Sequence, residues 1–322
     1  MGFSGDCICI KKDLSFERID SLKVGDILFN PYDENGSKII AIEEAYESDG
    51  FRILTNNFFE MNISKDTMIE TSSIIINEEK YLLSNPEFKK PFEMNKVSFF
   101  PICGLKNRKN VDFENLYIYS KAILKGINND GVLFINNMND KLKNIERLIA
   151  NEKKVTRIKK NVRIDFYKVP FWMDDLNKKS SQRFLNKEIF NLSDENFYRF
   201  INSFLQENTD QFLNLNNFRV YTQSKVLAMQ LFFLIISYLD SFPNIELVKK
   251  DIWSYEKIKQ SNKRNMFAIT CKDDLTKPLE NNEFFFQNLE KVENNNRNIK
   301  YIKIITEDEK PFIVYNFICK DC

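Results

Sequence analysis

Histidine is absent from this chain of 322 residues. Every mechanism that needs an imidazole as a base or metal ligand is therefore excluded, which leaves thiols, carboxylates, hydroxyls, amines and the backbone. Glycine and proline are scarce, at eight residues each, and neither sign of charge is in excess, because 47 basic residues face 46 acidic ones. The net charge of +1 gives no global field that would select a charged partner.

Long apolar runs are absent as well. The most apolar stretch covers residues 226–239 and is shorter than the roughly 20 residues that a bilayer-spanning helix needs, so it predicts a buried helix. The N-terminus lacks the basic and apolar regions of a secretory signal. We therefore expect a cytoplasmic protein without a membrane partner, long enough for two domains.

Four of the six cysteines lie at the two ends of the chain, as Cys7-x-Cys9 and Cys319-x-x-Cys322. A long chain without an export signal does not suggest a disulfide scaffold. One interpretation is a four-thiolate zinc site, for which the C-x-x-C spacing is suitable and the C-x-C spacing unusual. Another is that Cys9 and Cys319 are core residues, since both flank apolar positions. A third, developed below, is that the outermost thiols are nucleophiles.

The pattern of elements changes twice along the chain. Residues 7–103 read as short strands rich in Ile and Phe, and residues 277–322 return to that pattern. Between them, residues 104–276 alternate helices and strands in an order that repeats weakly, with one helix closed by Asp130-Gly131. The sequence therefore predicts a mainly β domain interrupted by an α/β insertion, so that the two chain ends can meet.

This layout resembles an intein, a self-splicing element whose Hint domain is commonly interrupted by a LAGLIDADG homing endonuclease. The stretch YIKIITEDEKPFIVYNFICKDC resembles the last two intein blocks, and the first block is matched at Ile19, Leu22, Gly25, Asp26 and Leu28. The resemblance implies a horseshoe-like, mainly β Hint domain made of residues 7–103 and 277–321, with an endonuclease-like insertion at 104–276. Residues 1–6 would be a stub of the N-terminal flank, and Cys322 would be the first residue of the C-terminal flank.

The resemblance also implies a chemistry for the terminal thiols. Cys7 would attack the carbonyl of Asp6 and form a thioester, Cys322 would take over the acyl group, and Asp321 would have to cyclise to release the branch. Each step is nucleophilic catalysis by a side chain held against a carbonyl, and none needs a cofactor. The implied partner is the host protein in cis.

Four assisting positions depart from the intein pattern. Thr67 takes the place of a His in the second block, which begins at Ser64, and Lys303 replaces an Asp of a later block. Lys320 replaces the penultimate His, and Asp321 replaces the terminal Asn, although a carboxylate is the poorer cyclising group at neutral pH. We expect Thr67 or Lys303 to hydrogen-bond the carbonyl at the N-terminal junction. Two hypotheses follow, a slowly splicing intein and an inert degenerate intein that persists as a structural or DNA-binding insertion.

The insertion is similar to a LAGLIDADG domain that has lost one of its two metal carboxylates. Asp130 matches the first carboxylate, whereas the second position reads Asn208. The resemblance therefore implies Mg²⁺ only for an active endonuclease, and we expect no double-strand cleavage. Arg157, Lys159 and Arg163 alternate at the strand period, which predicts a basic strand face for DNA.

Overall fold

The protein divides into two compact units in the computed structural model. Unit 1 comprises Met1–Leu105 and Thr276–Cys322, and unit 2 comprises Lys106–Leu275. These boundaries lie close to the positions, 103/104 and 276/277, at which the sequence pattern changes. The structure describes residues 2–55, 60–77, 80–84, 87–95, 98–105, 111–129, 131–136, 153–158, 161–215, 217–239, 241, 243–252, 262–271, 280–281, 284–295, 298–307 and 314–315.

The described residues are mainly β, in antiparallel sheets, as the sequence predicts. Three α-helices accompany the strands in this part of the chain. In chain order the elements are β1 (Phe3–Ser4), β2 (Ile8–Ile10), β3 (Phe16–Arg18), β4 (Ile27–Asn30), β5 (Asp33–Glu47), β6 (Gly50–Thr55), β7 (Glu60–Ile63), β8 (Ile69–Asn77), β9 (Lys80–Leu83), β10 (Glu87–Lys89), β11 (Ser98–Cys103), α1 (Leu116–Lys125), β12 (Gly126–Asn129), β13 (Val132–Asn136), β14 (Lys153–Ile158), β15 (Asn161–Phe166), α2 (Asp194–Asn208), β16 (Thr209–Asn214), β17 (Asn217–Thr222), α3 (Lys225–Leu239), β18 (Asn244–Ile252), β19 (Asn262–Cys271), β20 (Glu280–Asn281), β21 (Phe284–Asn295), β22 (Ile299–Thr306) and β23 (Val314–Tyr315).

Unit 1 interleaves strands from both of its chain segments. Its large sheet has the order β10-β8-β11-β21-β6-β7-β1-β22-β5-β4, with β9 paired to β8 and β20 to β21. A smaller sheet has the order β23-β2-β3. Because β21, β22 and β23 each pair with strands from the N-terminal segment, the two segments share their backbone hydrogen bonds and form one unit.

Unit 2 contains two sheets of matching connectivity. Their orders are β12-β13-β15-β14 and β16-β17-β19-β18. Helices α1 and α2, each preceding one sheet in the chain, pack together, and the rings of Tyr119 and Phe200 stack at 6.3 Å. The apolar stretch predicted to be a buried helix forms α3, most of which is buried. In the part of the chain that the structure describes, no helix is both long and apolar enough to cross a membrane.

One helix ends earlier than the sequence pattern predicts. Helix α1 stops at Lys125, and residues 126–129 form a strand instead of running helically to the Asp130-Gly131 turn. Gly126 is extended, and the guanidinium of Arg183 donates to the carbonyls of Ile123 and Gly126 at 3.1 and 2.7 Å. Arg183, which lies far along the chain, thus provides hydrogen bonds to carbonyls at the end of α1 that have no partner within the helix. Asp130 itself lies outside the described residues.

Candidate site around the Gly2 peptide

The N-terminal strand β1 joins two halves of the large sheet of unit 1. It lies between β7 and β22, with Phe3 opposite both Ile63 and Ile302, and with Ser4 opposite Tyr301. Phe3 is half-buried and packs against the apolar clusters on both sides of the strand. This packing explains why a segment of only two strand residues is held inside the sheet, with Gly2 buried at its start.

Two buried hydroxyls hold the backbone of Gly2. The Gly2 N–H donates to Thr67 Oγ1 at 2.8 Å, and Thr67 Oγ1 donates to the Gly2 carbonyl at 2.9 Å. Since a hydroxyl carries one proton, the 2.9 Å contact between Ser64 Oγ and Thr67 Oγ1 has Ser64 as its donor. The Ser64 N–H also donates to the Gly2 carbonyl at 2.9 Å. Ser64 and Thr67 are 1% and 3% exposed, so these bonds are shielded from water.

The expected contact of Thr67 with the Asp6 carbonyl is replaced by these bonds to Gly2. The one proton of the Thr67 hydroxyl is donated to the Gly2 carbonyl, so no second proton remains for another acceptor. Lys303, the other expected donor, lies opposite Glu43 and forms an ion pair with it at 2.9 Å on an exposed part of the sheet. Neither Thr67 nor Lys303 therefore donates to the Asp6 carbonyl as predicted. Strand pairing brings Gly2, and not Asp6, to the hydroxyls of Ser64 and Thr67, and it places Lys303 opposite Glu43.

The Cys7 thiol lies in the interior of unit 1. The residue is 0% exposed and belongs to an apolar cluster with Ile19, Leu28 and Ile302. Its sulfur is 3.3 Å from Ser4 Oγ, and its N–H closes a turn on the Ser4 carbonyl at 3.0 Å. The thiol is therefore held next to β1, on the side of the strand that carries Ser4.

Cys9 is unsuited to be a thiolate. Burial raises the pKa of the Cys9 thiol to about 12, and the carboxylate of Glu17 adds to the effect. Cys9 is 0% exposed and is a core residue, as one of the sequence interpretations holds. The zinc interpretation also needs Cys319 and Cys322, which lie outside the described residues. Within the described ranges, no group of three or more Cys, Asp or Glu side chains could hold a metal ion.

Tyr301 completes the buried polar surroundings of β1. The residue is 2% exposed, and in the described part of the chain its hydroxyl has no hydrogen-bond partner. Burial raises the pKa of Tyr301 to about 12, and the charge of Glu47 adds to the effect. A Cβ on Gly50 would lie 1.8 Å from the Tyr301 hydroxyl oxygen, so only glycine leaves room for the ring there. We call Ser4, Cys7, Ser64, Thr67 and Tyr301 the Gly2 cluster.

The C-terminal junction residues Lys320, Asp321 and Cys322 lie outside the described residues. The last described strand, β23, pairs with β2, with Tyr315 opposite Ile8 and Val314 opposite Cys9. The C-terminal segment thus reaches the strand that directly follows Cys7.

Positions 157 and 163, two of the three predicted to present basic side chains to DNA, do not share one strand face. The chain reverses between Ile158 and Asn161, and the register sets residue 157 opposite Val162 but Arg163 opposite Thr156. Directly paired positions share a face, so 157 and 163 belong to opposite faces, and the single-strand interpretation is wrong. Lys159 and Asp130 lie outside the described residues, and Asn208 is the last residue of α2.

Sequence reasoning missed Gly2 and Tyr301. The available signal was the Ser-x-x-Thr spacing at residues 64 and 67, which marks a pair of hydroxyls without naming the peptide that they bind. No protein-family model matches the chain, and a comparison with curated proteins finds no significant similarity.

Proposed function

We propose that the chain is an intein-type element whose N-terminal site is built around the Gly2 peptide. Unit 1 is the splicing-type domain in this proposal, and unit 2 is the endonuclease-like insertion. The observation that carries it is the pair of buried hydroxyls, Ser64 and Thr67, on the N–H and carbonyl of Gly2. In inteins the block matched by these two residues assists cleavage of the first junction. The junction that they serve here is therefore Met1–Gly2.

The proposal changes the role of Cys7. The Asp6–Cys7 bond lies five positions beyond Gly2, in the turn that the Cys7 N–H closes on Ser4. The Cys7 sulfur is fully buried and packs in an apolar cluster of unit 1. We assign Cys7 to the packing of unit 1. Glycine has no nucleophile, so the first acyl shift is lost, while Cys322 and Asp321 remain predictions for the C-terminal junction.

A nucleophile placed at residue 2 tests this assignment. In a Gly2→Cys variant, the new sulfur would attack the Met1 carbonyl carbon, the Met1–Gly2 C–N bond would break, and the nitrogen would take the thiol proton. The product is a thioester with a free amine on residue 2, and an added thiol exchanges with it and releases the N-terminal flank. The Gly2 N–H donates to Thr67 Oγ1 at 2.8 Å, and this bond holds the Met1–Gly2 peptide in place for the attack.

The experiment uses the full chain with a carrier domain fused before Met1. Wild-type protein is expected to stay intact in excess dithiothreitol, and Gly2→Cys is expected to release the carrier. Gly2→Ala is the matched control, because its Cβ meets the same crowding, 3.0 Å from Tyr301 Cβ and 3.1 Å from the Ile302 carbonyl oxygen, without a thiol. Adding Thr67→Val to Gly2→Cys should slow the release.

Two outcomes would refute the assignment. One is thiol-dependent release from the wild-type fusion that disappears in Cys7→Ala, because Cys7 would then be the nucleophile. The other is a folded Gly2→Cys fusion that stays whole in thiol, which would mean that the hydroxyls on Gly2 do not serve a reactive junction.

A second candidate function belongs to unit 2 and is DNA binding. The observation that favours it is the matching connectivity of the two sheets, β12-β13-β15-β14 and β16-β17-β19-β18, each preceded by one of two helices that pack together. Two similar sheets can make two similar contacts with a partner whose own structure repeats along its length, and duplex DNA is such a partner. Band-shift measurements with duplex DNA at low salt would test it, and saturable binding that is lost on deletion of residues 106–275 is the expected result.

A further inference from the structure

Each sheet of unit 2 has one buried face and one open face, and the open faces carry arginines. The buried face of the first sheet is formed by Leu133, Val162 and Ile164, and that of the second by Val220 and Ile269. We call the opposite face of each sheet its outer face. Arg163 lies on the outer face of the first sheet, and Arg219 on that of the second.

On the first sheet, Arg163 is held by a carboxylate and a ring. Its Nη2 and Nε donate to Asp165 Oδ1 at 2.8 and 3.0 Å. Its guanidinium carbon lies 5.9 Å from the ring centroid of Phe134, which is directly opposite in the register. The side chains of Arg163 and Asp165 are 41% and 28% exposed, so the pair is open to a large partner.

The second sheet repeats this arrangement with different residues. Arg219 Nη2 donates to Glu246 Oε2 at 2.8 Å, across the intervening strand β19. The Arg219 guanidinium carbon lies 5.5 Å from the ring centroid of Tyr221. The ion pair spans the small side chain of Ala268, which lies opposite both Tyr221 and Glu246 and is 0% exposed. The side chains of Arg219 and Glu246 are 36% and 39% exposed.

Both outer faces therefore present an arginine, an aromatic ring and a carboxylate. An aromatic face and a carboxylate fix the orientation of a guanidinium, and a guanidinium on a flat sheet matches a phosphate group. The same carboxylate, however, occupies the donors that a phosphate would need, and it repels the phosphate once displaced. The orientation of each arginine therefore favours binding of a nucleic-acid phosphate, whereas the neighbouring carboxylate opposes that binding.

We propose that Asp165 and Glu246 determine whether the outer faces of unit 2 bind the phosphate backbone of duplex nucleic acid. With both carboxylates charged, the two arginines are compensated and the faces bind weakly. With both neutralised, each arginine gains a phosphate contact. The proposal deepens the second candidate function and does not depend on the splicing chemistry.

The test measures anisotropy of a labelled 20-base-pair duplex against full-length protein over a series of salt concentrations. The Asp165→Asn, Glu246→Gln double variant is expected to bind about tenfold more tightly than wild type at about 50 mM salt. The slope of log K against log salt should steepen by about 1.8, since each new phosphate contact contributes about 0.9. The matched charge control is the Asp112→Asn, Asp174→Asn double variant, which neutralises two exposed carboxylates in the same unit and should leave the slope unchanged.

Adding Arg163→Gln and Arg219→Gln to the double variant should remove the gain. The proposal is overturned if the double variant binds no better than the matched charge control. It is also overturned if the gain survives removal of both arginines, because net charge alone would then account for it. A wild-type protein that fails to bind while the double variant binds supports the role of the two carboxylates but refutes DNA binding as a function of the wild-type chain. The thiol assay on unit 1 is unaffected by either result.

Discussion

Replacing Thr67 with valine should detach the start of β1 from the sheet of unit 1. Valine has nearly the same shape as threonine, so the change creates no cavity and removes only the hydroxyl. That hydroxyl accepts from the Gly2 N–H at 2.8 Å, donates to the Gly2 carbonyl at 2.9 Å and accepts from Ser64 Oγ. All three bonds are lost together.

The expected loss of stability depends on which hydrogen bonds the partners of Thr67 retain in the Thr67→Val variant. The Gly2 carbonyl still accepts a hydrogen bond from the Ser64 N–H, so losing the bond from Thr67 costs little stability at that carbonyl. The buried Gly2 N–H and the Ser64 hydroxyl lose the partners described above, and one buried unpaired group costs about 1–3 kcal/mol. We expect Thr67→Val to lower the free energy of unfolding of unit 1 by about 2–4 kcal/mol. Thr67→Ser keeps the hydroxyl and should lose only about 1 kcal/mol, for the methyl group.

Two measurements separate this effect from general damage. Hydrogen exchange followed by mass spectrometry should show faster exchange in the N-terminal peptide of Thr67→Val, and near-normal exchange in Thr67→Ser. Both tryptophans of the chain, Trp172 and Trp253, belong to unit 2, so tryptophan fluorescence during urea unfolding reports on that unit as an internal control. Unchanged N-terminal exchange in Thr67→Val, or equal losses in the two variants, would refute the reasoning.

The remaining predictions concern packing, pH and metal. Tyr301→Phe removes a buried hydroxyl that has no partner in the described part of the chain, so urea unfolding should show unit 1 unchanged or more stable by about 1 kcal/mol, and a clear loss would contradict this. Gly50→Ala should destabilise unit 1 by about 1–3 kcal/mol, because its Cβ would lie 1.8 Å from the Tyr301 hydroxyl oxygen; undiminished stability would argue against the packing. The hydrogen bond from Lys11 Nζ at 2.8 Å holds the pKa of Asp26 below its ordinary 3.8, so this stabilisation is complete above that value and is lost as the pH falls through the lower pKa of the folded state. Asp26→Asn should therefore be less stable than wild type at pH 7, and in urea titrations the difference should close below pH 3.8; a difference that persists there would disagree. On the proposed likeness of unit 2 to an endonuclease, Asp130 matches only one of the two carboxylates that cleavage needs, so plasmid DNA incubated with the protein and Mg²⁺ should not be linearised, and specific linearisation would overturn this.

Local patterns account for much of the fold. The helical periodicity of residues 194–208 and the continuous apolar run of residues 226–239 lie in segments long enough to be recognised as helices. The end of α1 was not predictable in this way, because Arg183, far along the chain, satisfies the carbonyls at that end. The sheet face on which Arg163 lies was also not predictable, because the chain reverses between Ile158 and Asn161 and the alternation of faces along a single strand does not continue through a reversal.

The candidate site was harder to predict for the same reason. Strand β1 has two residues, which is too few to show a period, and its position depends on pairing with β7 and β22. Ser64 and Thr67 could be recognised by their spacing, but the peptide that they hold is 65 positions from Thr67 in sequence. Cys7 was predicted to be the nucleophile because a thiol is recognised in a sequence, whereas the hydrogen bonds of Gly2 to Thr67 and Ser64 depend on long-range strand pairing.

The most direct test of the central claim is the intact mass of the N-terminal fragment that thiol releases from the Gly2→Cys fusion. If the Gly2 cluster acts on the Met1–Gly2 bond, the fragment ends at Met1 as the thioester of the added thiol, and its release slows when Thr67 is replaced by valine. A fragment that ends at Asp6, five residues longer, and that is lost in Cys7→Ala would contradict the account and return the junction to Cys7.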